Sequence, residues 1–329
     1  MGFLCWACVS SETPIQGITP TVDAGNVPKE DAAASGDAGD ATTGDAGCVP
    51  TAGAACNQCA PFGAPVEMAF SGSVLSGSGE DFGGRVARGD LFFSSNRGGG
   101  GSYVLYRATM TGATSTESPV TIATFAEGGP IIPAVTADGG ALVYTRGAFN
   151  ARQLYRAALA GQTLTGEALL FGAAAQPGSG QEDADPHVVE QGGALTSVYY
   201  TSTRGDASRR RIYRTTGTGI NLSVGDALPP PVNDTAFQSA APWVSPDELE
   251  LWFSRQPVGT ADPYQVVTSR RTSSSAAFST PSPLRYVDGS GNLQNVSGFV
   301  AWVSPDRCAM HLVRQPGLTR VVVLRKPPL

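Results

Sequence analysis

The chain has 329 residues, 41 of them glycine and 24 proline, and 41% are hydrophobic. That is too long for one small domain and apolar enough for a sizeable core, yet no apolar run approaches the ~18 residues of a membrane span. The net charge of −6 sits in the first sixty residues, where Glu12, Asp23, Glu30, Asp31, Asp37, Asp40 and Asp45 face one base, Lys29; residues 61–329 then hold 21 acids and 21 bases. A neutral body with an acidic tail argues against nucleic acid as a partner, because phosphate binding needs a basic face.

Residues 1–12 read as a targeting remnant. Met1–Val9 is apolar but shorter than a secretory h-region, and it has no Lys/Arg n-region. Residues 13–60 read as a tether in which Asp-Ala-Gly recurs at Asp23, Asp37 and Asp45. Such a stretch has almost nothing large to bury and cannot offset the entropy of ordering. The sequence of apolar start, cysteine and Ala/Gly/Asp tether resembles a bacterial lipoprotein, with Cys8 after Ala7 as the candidate for acylation. The resemblance implies a cell-envelope protein, lipid-tethered in the periplasm or at the outer membrane. Secretion without lipid, or a cytoplasmic protein with an unusual N-terminus, are the alternatives.

Cys48, Cys56 and Cys59 cluster before the body and Cys308 lies far downstream. Four cysteines allow three pairings. Cys56-x-x-Cys59 is half of a zinc site whose second pair is missing, so disulfides are the expectation and no metal or cofactor is. One bridge from the cluster to Cys308 would staple the tether's end to the last repeat; the alternative is a local loop and a free, buried Cys308.

From residue 61 the chain repeats. Turn-and-strand units occupy 87–97, 136–146, 190–204, 245–255 and 304–314, ending at Arg97, Arg146, Arg204, Arg255 and Arg314. Third strands follow at 104–110, 153–159, 211–217, 264–270 and 320–326, and fourth strands at 119–125, 167–173, 224–230 and 283–289. Alternation, β-branched and aromatic enrichment, and Gly/Pro/Asp turns predict antiparallel strands. Four short strands per repeat, five times over, predict an all-β, five-bladed β-propeller, with six blades as the fallback. The last repeat lacks its outer strand, and residues 64–72 read like one. An N-terminal strand completing the last blade would close the ring.

Pro242-Trp243-Val244-Ser245-Pro246-Asp247 followed by Leu251-Trp252-Phe253-Ser254-Arg255 resembles the TolB-like (WD40-like) propeller repeat, as does Ala301-Trp302-Val303-Ser304-Pro305-Asp306. Looser copies begin at Pro133 and Pro186. The resemblance implies a periplasmic or envelope interaction module and no particular chemistry.

Asp138, Asp247 and Asp306 fall in the turns between first and second strands, where Asp caps turn amides. The five closing arginines and the acids of the blade-to-blade loops share one rim, and exposed ion pairs between blades are expected there. One step into the first strands stand Arg85, Ala134, His187, Trp243 and Trp302. With the acidic stretch Asp183-Ala184-Asp185, these give a candidate ligand-binding channel mouth of Arg85, Asp183, Asp185, His187, Trp243 and Trp302; packing in the core is the competing role for the tryptophans. Only His187 and His311 are available to a Ser-His-Asp triad, and His311 lies in an apolar strand and reads as structural. Arg209-Arg210-Arg211 reads as a solvated loop. No catalytic residues are assigned. The expected function is a monomeric, non-enzymatic scaffold that binds an envelope protein or peptide. The runner-up is a carbohydrate-binding or glycoside-hydrolysing propeller using Asp81, Asp183, Asp185 and Asp234.

Overall fold

The computed structural model describes residues 55–70, 79–97, 102–112, 114–115, 119–124, 131–217, 222–314 and 320–329. Cys5, Cys8, Cys48 and nearly all of the tether lie outside the described residues. Two short strands open the body, β1 (Phe62–Gly63) and β2 (Val66–Glu67). Sheet I holds β3 (Asp81–Ala87), β4 (Asp90–Ser95), β5 (Val104–Thr111), β6 (Thr114–Ser115) and β7 (Val120–Thr124), with β7 paired to β5. Sheet II holds β8 (Pro133–Val135), β9 (Ala141–Arg146), β10 (Gln153–Ala160) and β11 (Thr163–Leu169). Sheet III holds β12 (Asp183–Gln191), β13 (Ala194–Ser202), β14 (Arg211–Thr216) and β15 (Asp226–Ala227). Sheet IV holds β16 (Phe237–Val244), β17 (Glu250–Pro257), β18 (Gln265–Arg270) and β19 (Ser282–Pro283). After β20 (Arg285–Val287) and β21 (Leu293–Asn295), sheet V holds β22 (Phe299–Val303), β23 (Ala309–Arg314) and β24 (Arg320–Arg325). The protein is all-β, and each of the five sheets runs in sequence order from its first strand outward.

The fourth strand of sheet V comes from the N-terminal segment. β2 pairs antiparallel with β24, Val66 opposite Val323 and Glu67 opposite Val322. The same segment then crosses to sheet I, where Ala69 bridges Thr114 and Phe70 stacks on Phe93 at 4.6 Å. Upstream, β1 pairs in parallel with β20, which in turn pairs with β21. Residues 64–72 thus act, in their described part, as the expected outer strand.

The turns follow from local side-chain chemistry. Asp138 Oδ1 accepts from the Gly140 amide at 2.9 Å, Asp247 Oδ1 from Leu249 at 3.0 Å and Asp306 Oδ1 from Cys308 at 3.0 Å. Each carboxylate also accepts from the hydroxyl two residues back, Thr136, Ser245 or Ser304. These acids are turn caps, as their position in the repeat implies. The central strands are apolar on both faces because both are covered. In β4, Leu91 and Phe93 enter one buried cluster while Phe92 enters another. A cluster of this kind lies between each sheet and the next. One of them joins sheet V to sheet I through Val321, Val323, Leu91, Phe93, Tyr106 and Met68.

Four of the five first strands share one irregularity, which β8 lacks. Pairing with the second strand slips between Gly83 and Arg85, between Ala184 and His187, between Ala240 and Trp243, and between Val300 and Trp302. Such bulges re-aim the side chain that follows them. The backbone takes positive φ at Gly84 (117°), Asp185 (49°) and Ala241 (51°). A Cβ at Gly84 would lie 3.0 Å from the Val321 side chain and 3.5 Å from that of Ala301, so both the conformation and the close approach of sheet V call for glycine. At Asp185 and Ala241 a non-glycine residue holds the strained conformation. Each bulge is pinned by the second strand of the preceding sheet. The Asp185 amide donates to Thr145 Oγ1 (3.2 Å), the Ala241 amide to Thr201 Oγ1 (2.9 Å) and the Val300 amide to Ser254 Oγ (3.1 Å). From sheet V, His311 Nδ1 donates to the Gly84 carbonyl at 3.0 Å.

Cys56 and Cys308 form a disulfide across a sequence separation of 252, which ties the tether's end to the first turn of sheet V. Cys59 is also disulfide-bonded. A crosslink closing so long a loop removes much of the unfolded chain's freedom. Replacing Cys308 by Ala should therefore lower stability by about 2–4 kcal/mol, read as a drop in the urea midpoint of the oxidised protein; an unchanged midpoint would contradict the staple.

Candidate functional site

The residues that follow the bulges meet in one place. Arg85, Ala134, His187, Trp243 and Trp302, one from each sheet, line a funnel of about 420 Å³. Its wall is apolar, made of Val86, Val135, Val188, Val244 and Val303. The mouth opens among the turns between first and second strands, at Arg88, Ala137, Pro246 and Pro305, and at Glu190 near the end of β12. This is the opposite end of the first strands from the rim of closing arginines.

Arg85 forms part of the funnel wall and is only 5% exposed. Its Nη1 donates to His187 Nδ1 at 2.8 Å, and its Nη2 to the carbonyls of Pro186 (2.8 Å) and Pro242 (3.4 Å). Those two carbonyls belong to bulges of sheets III and IV, so the bulges also supply the seat for the guanidinium. His187 Nε2 lies 2.8 Å from the Val244 carbonyl. A carbonyl can only accept and a guanidinium only donate, so the ring carries its proton on Nε2 and is neutral. Burial first, then the Arg85 charge, hold the His187 pKa well below its usual value. Burial also pulls the Arg85 pKa down to about 9, against the attraction of Asp185. Among the described residues no carboxylate forms an ion pair with Arg85.

The two tryptophans pack in the core and also line the cavity. Trp243 is buried in the cluster between sheets IV and V, edge-on to Trp252 at 6.3 Å, and still lines the funnel. Trp302 is half-buried, with its ring 5.0 Å from that of His311. His311 is structural, as expected of its strand: it is buried and bound to Gly84.

The acidic members of the expected mouth lie elsewhere. Asp183 is fully buried and is held by Arg204 at 2.6 Å. Asp185 lines a separate cavity of about 20 Å³ on the far side of Arg85, room for one water. The remaining candidate carboxylates are engaged too, Asp81 with Arg97 at 2.5 Å and Asp234 with Arg255 at 3.8 Å. Glu190, the one acid lining the funnel, accepts from the Ala137 amide at 2.5 Å.

The rim differs from the expected ring of exposed inter-blade pairs. Asp81 pairs opposite Ser95 and Asp183 opposite Ser202, two residues short of Arg97 and Arg204. The strand register therefore puts each charge pair within its own sheet, and the carboxylates are buried. Bridging between sheets falls to other acids. Glu182 takes Arg152 at 2.7 Å and Arg210 at 2.9 Å, so Arg210 is no solvated loop residue. Burial alone would raise the Glu182 pKa, but the Arg152 hydrogen bond and charge, with Arg210, hold it below the usual value. Glu248 does the same between sheets III and IV, taking Arg214 at 2.7 Å and Arg271 at 3.0 Å.

Sequence reasoning aligned the five funnel residues correctly but placed Asp183 and Asp185 beside them. The signal that separates the two groups is the bulge, marked in the sequence by Gly83-Gly84, Asp185-Pro186 and Ala241-Pro242. Arg88 and the valine lining gave no sequence signal, because turn arginines and strand valines are common.

No family model and no curated protein matches the chain. Solved structures are similar to it in fold. Zg3597, a family 117 glycoside hydrolase produced by the marine bacterium Zobellia galactanivorans, is 11% identical, over 80% of this chain and 90% of that one, with a TM-score of 0.51. TolB from Acinetobacter baumannii is 13% identical over 73% of this chain, with a TM-score of 0.44; the chain covers 52% of that structure's length. The GH93 alpha-L-arabinofuranosidase of Fusarium graminearum is 13% identical, over 80% of this chain and 79% of that one, with a TM-score of 0.42. At these identities the likeness is one of fold.

Both histidines are buried neutral, so acid must destabilise the fold. His311 is held down to about 4, by burial first and by the Arg325 charge, against the Gly84 hydrogen bond. Its folded pKa lies below its unfolded value of 6.5, so the unfolded state binds more protons in this window. Its stabilising effect is complete above pH 6.5 and is lost as pH falls towards 4, amounting to about 3 kcal/mol. Urea titrations from pH 7 to 4 should show this fall, and His311→Asn should flatten part of it; a variant that keeps the full slope would contradict the assignment.

Proposed function

We propose that the chain is a five-bladed β-propeller, closed by its N-terminal strand, that acts as a non-enzymatic binding module of the cell envelope. Its funnel engages a protein or peptide. The observation that carries this reading is the convergence of Arg85, His187, Trp243 and Trp302 from four sheets on one cavity of about 420 Å³. That volume lies within the ~300–1,000 Å³ typical of ligand sites. Closure is supported by the packing of β22 against β3 and by the pairing of β2 with β24. An envelope location is supported by the Cys56–Cys308 disulfide, since such bonds persist in oxidising compartments. Cys8 is the candidate anchor.

Carbohydrate binding is the second reading, favoured by the two indole faces beside the cavity. Hydrolysis has less support. It requires two carboxylates facing one pocket, and Asp81, Asp183 and Asp234 are engaged by arginines while Asp185 faces the smaller cavity.

Peptides selected from a random library against the full chain should bind Trp302→Ala about tenfold or more weakly by calorimetry, as truncated tryptophan hot spots do. They should bind Arg314→Ala, altered at the opposite end, as tightly as the unaltered protein. The reverse pattern would move the site to the arginine rim.

A further inference from the structure

Arg85 is a buried cation that no carboxylate among the described residues ion-pairs; the one that attracts it, Asp185, lines the smaller cavity on its other side. Its guanidinium has five N–H donors, and three protein acceptors are in place: His187 Nδ1 and the carbonyls of Pro186 and Pro242. All three are neutral groups. A buried charge bonded only to neutral groups is costly even with a carboxylate nearby, and proteins ordinarily pair it directly. Here the pairing carboxylates of the repeats are committed elsewhere, to Arg97 and Arg204. The surroundings hold Arg85 in this state. His187 cannot turn to another partner, because its second nitrogen is bound to Val244. The mouth adds Arg88 against Glu190, so with His187 neutral the charged groups lining the funnel are two cations and one anion.

The rest of the lining selects what carries the anion. Between Arg85 and the mouth the walls are valine, alanine, proline and two indoles. A sugar lowered into this space would bury hydroxyls against groups that cannot bond them, which is unfavourable. An apolar or aromatic side chain meets no such cost and can stack on Trp302. A carboxylate in mid-chain would have to bring its flanking chain down with it, whereas a chain end enters alone.

We propose that the funnel is a receptor for the free C-terminal carboxylate of a peptide whose last residue is apolar or aromatic, with Arg85 as the anion-binding group and Trp302 and Trp243 as the wall against which that residue packs. This rests on the reading of the funnel as a peptide site and names its ligand chemistry. The carboxylate accepts from the two guanidinium donors left over, giving charge-assisted hydrogen bonds of the strongest class. No covalent step is involved.

The test uses the full chain and calorimetry. The probes are two N-acetylated peptide libraries of the same random sequence, one ending in a free carboxylate and one in a carboxamide, with oligogalacturonate as an acidic sugar. The free-acid library should bind about tenfold or more tightly than the amide on the unaltered protein. The preference should vanish in Arg85→Gln, and it needs no variant to be seen should Arg85→Gln fail to fold. The binders should be enriched in Phe, Trp, Leu or Ile at the last position. Equal binding of acid and amide that still depends on Trp302 would overturn the carboxylate assignment and leave the peptide site standing. Arg85-dependent binding of oligogalacturonate without peptide binding would overturn it in favour of an acidic glycan. Binding of no probe in the funnel would overturn both readings.

Discussion

The site depends on a break in strand register. A first strand that paired evenly with its neighbour would send alternate side chains into the two clusters flanking its sheet. The slip after Gly83, Ala184, Ala240 and Val300 changes that course at one level in four sheets. It lets Arg85, His187, Trp243 and Trp302 line a shared cavity, the two tryptophans while still packed against the flanking clusters. The slip also turns backbone carbonyls inward, and those of Pro186 and Pro242 become the seat of the Arg85 guanidinium. A non-glycine residue with positive φ ahead of a proline is unfavourable. At Asp185 and Ala241 that conformation is held by hydroxyls of the preceding sheet, Thr145 and Thr201. The strain is therefore maintained by neighbouring sheets rather than by the strand itself, and the geometry of the funnel is a property of the assembled set.

Charge is handled differently at the two ends of the first strands. At the arginine rim the carboxylates are buried and matched: Asp81 by Arg97, Asp183 by Arg204, and Glu182 by Arg152 and Arg210. Removing one member of such a group would strand the other in a dry environment, so these networks fix how the sheets sit together. At the funnel end the balance is left open. Arg85 is bonded to dipoles, no carboxylate among the described residues ion-pairs it, Asp185 attracts it only from its other side, and His187 is held neutral. That contrast is what the proposed binding role of the funnel rests on.

Much of this was legible in the sequence, for identifiable reasons. Five arginines at intervals of about 50–60 residues, each closing a strand, gave the repeat, and the missing outer strand of the last repeat pointed to residues 64–72. Asp138, Asp247 and Asp306 could be read as caps because an Asx turn is a local motif. The alignment that grouped Arg85, Ala134, His187, Trp243 and Trp302 also held, because equivalent positions in a repeat occupy equivalent positions in space. What sequence could not supply was direction. Asp183 and His187 are four residues apart on one strand, and only the bulge at Asp185-Pro186 separates a buried ion pair on the rim from a funnel residue. The partners of Glu182 and Glu248 were hidden for a similar reason: one partner of each, Arg152 and Arg214, comes from the preceding sheet, and no local pattern announces it.

The arrangement makes a specific statement about two protons. His187 donates from Nε2 to the Val244 carbonyl and accepts at Nδ1 from Arg85, whereas His311 donates from Nδ1 to the Gly84 carbonyl. Nitrogen-15 spectra of the two imidazoles, assigned with His187→Gln, read the tautomers directly. The account predicts one ring protonated at Nε2 and the other at Nδ1, both neutral at pH 6. A His187 ring that is protonated on both nitrogens at that pH, or that carries its proton on Nδ1, would mean that Arg85 is not seated where the bulges place it, and the funnel would lose its anion site.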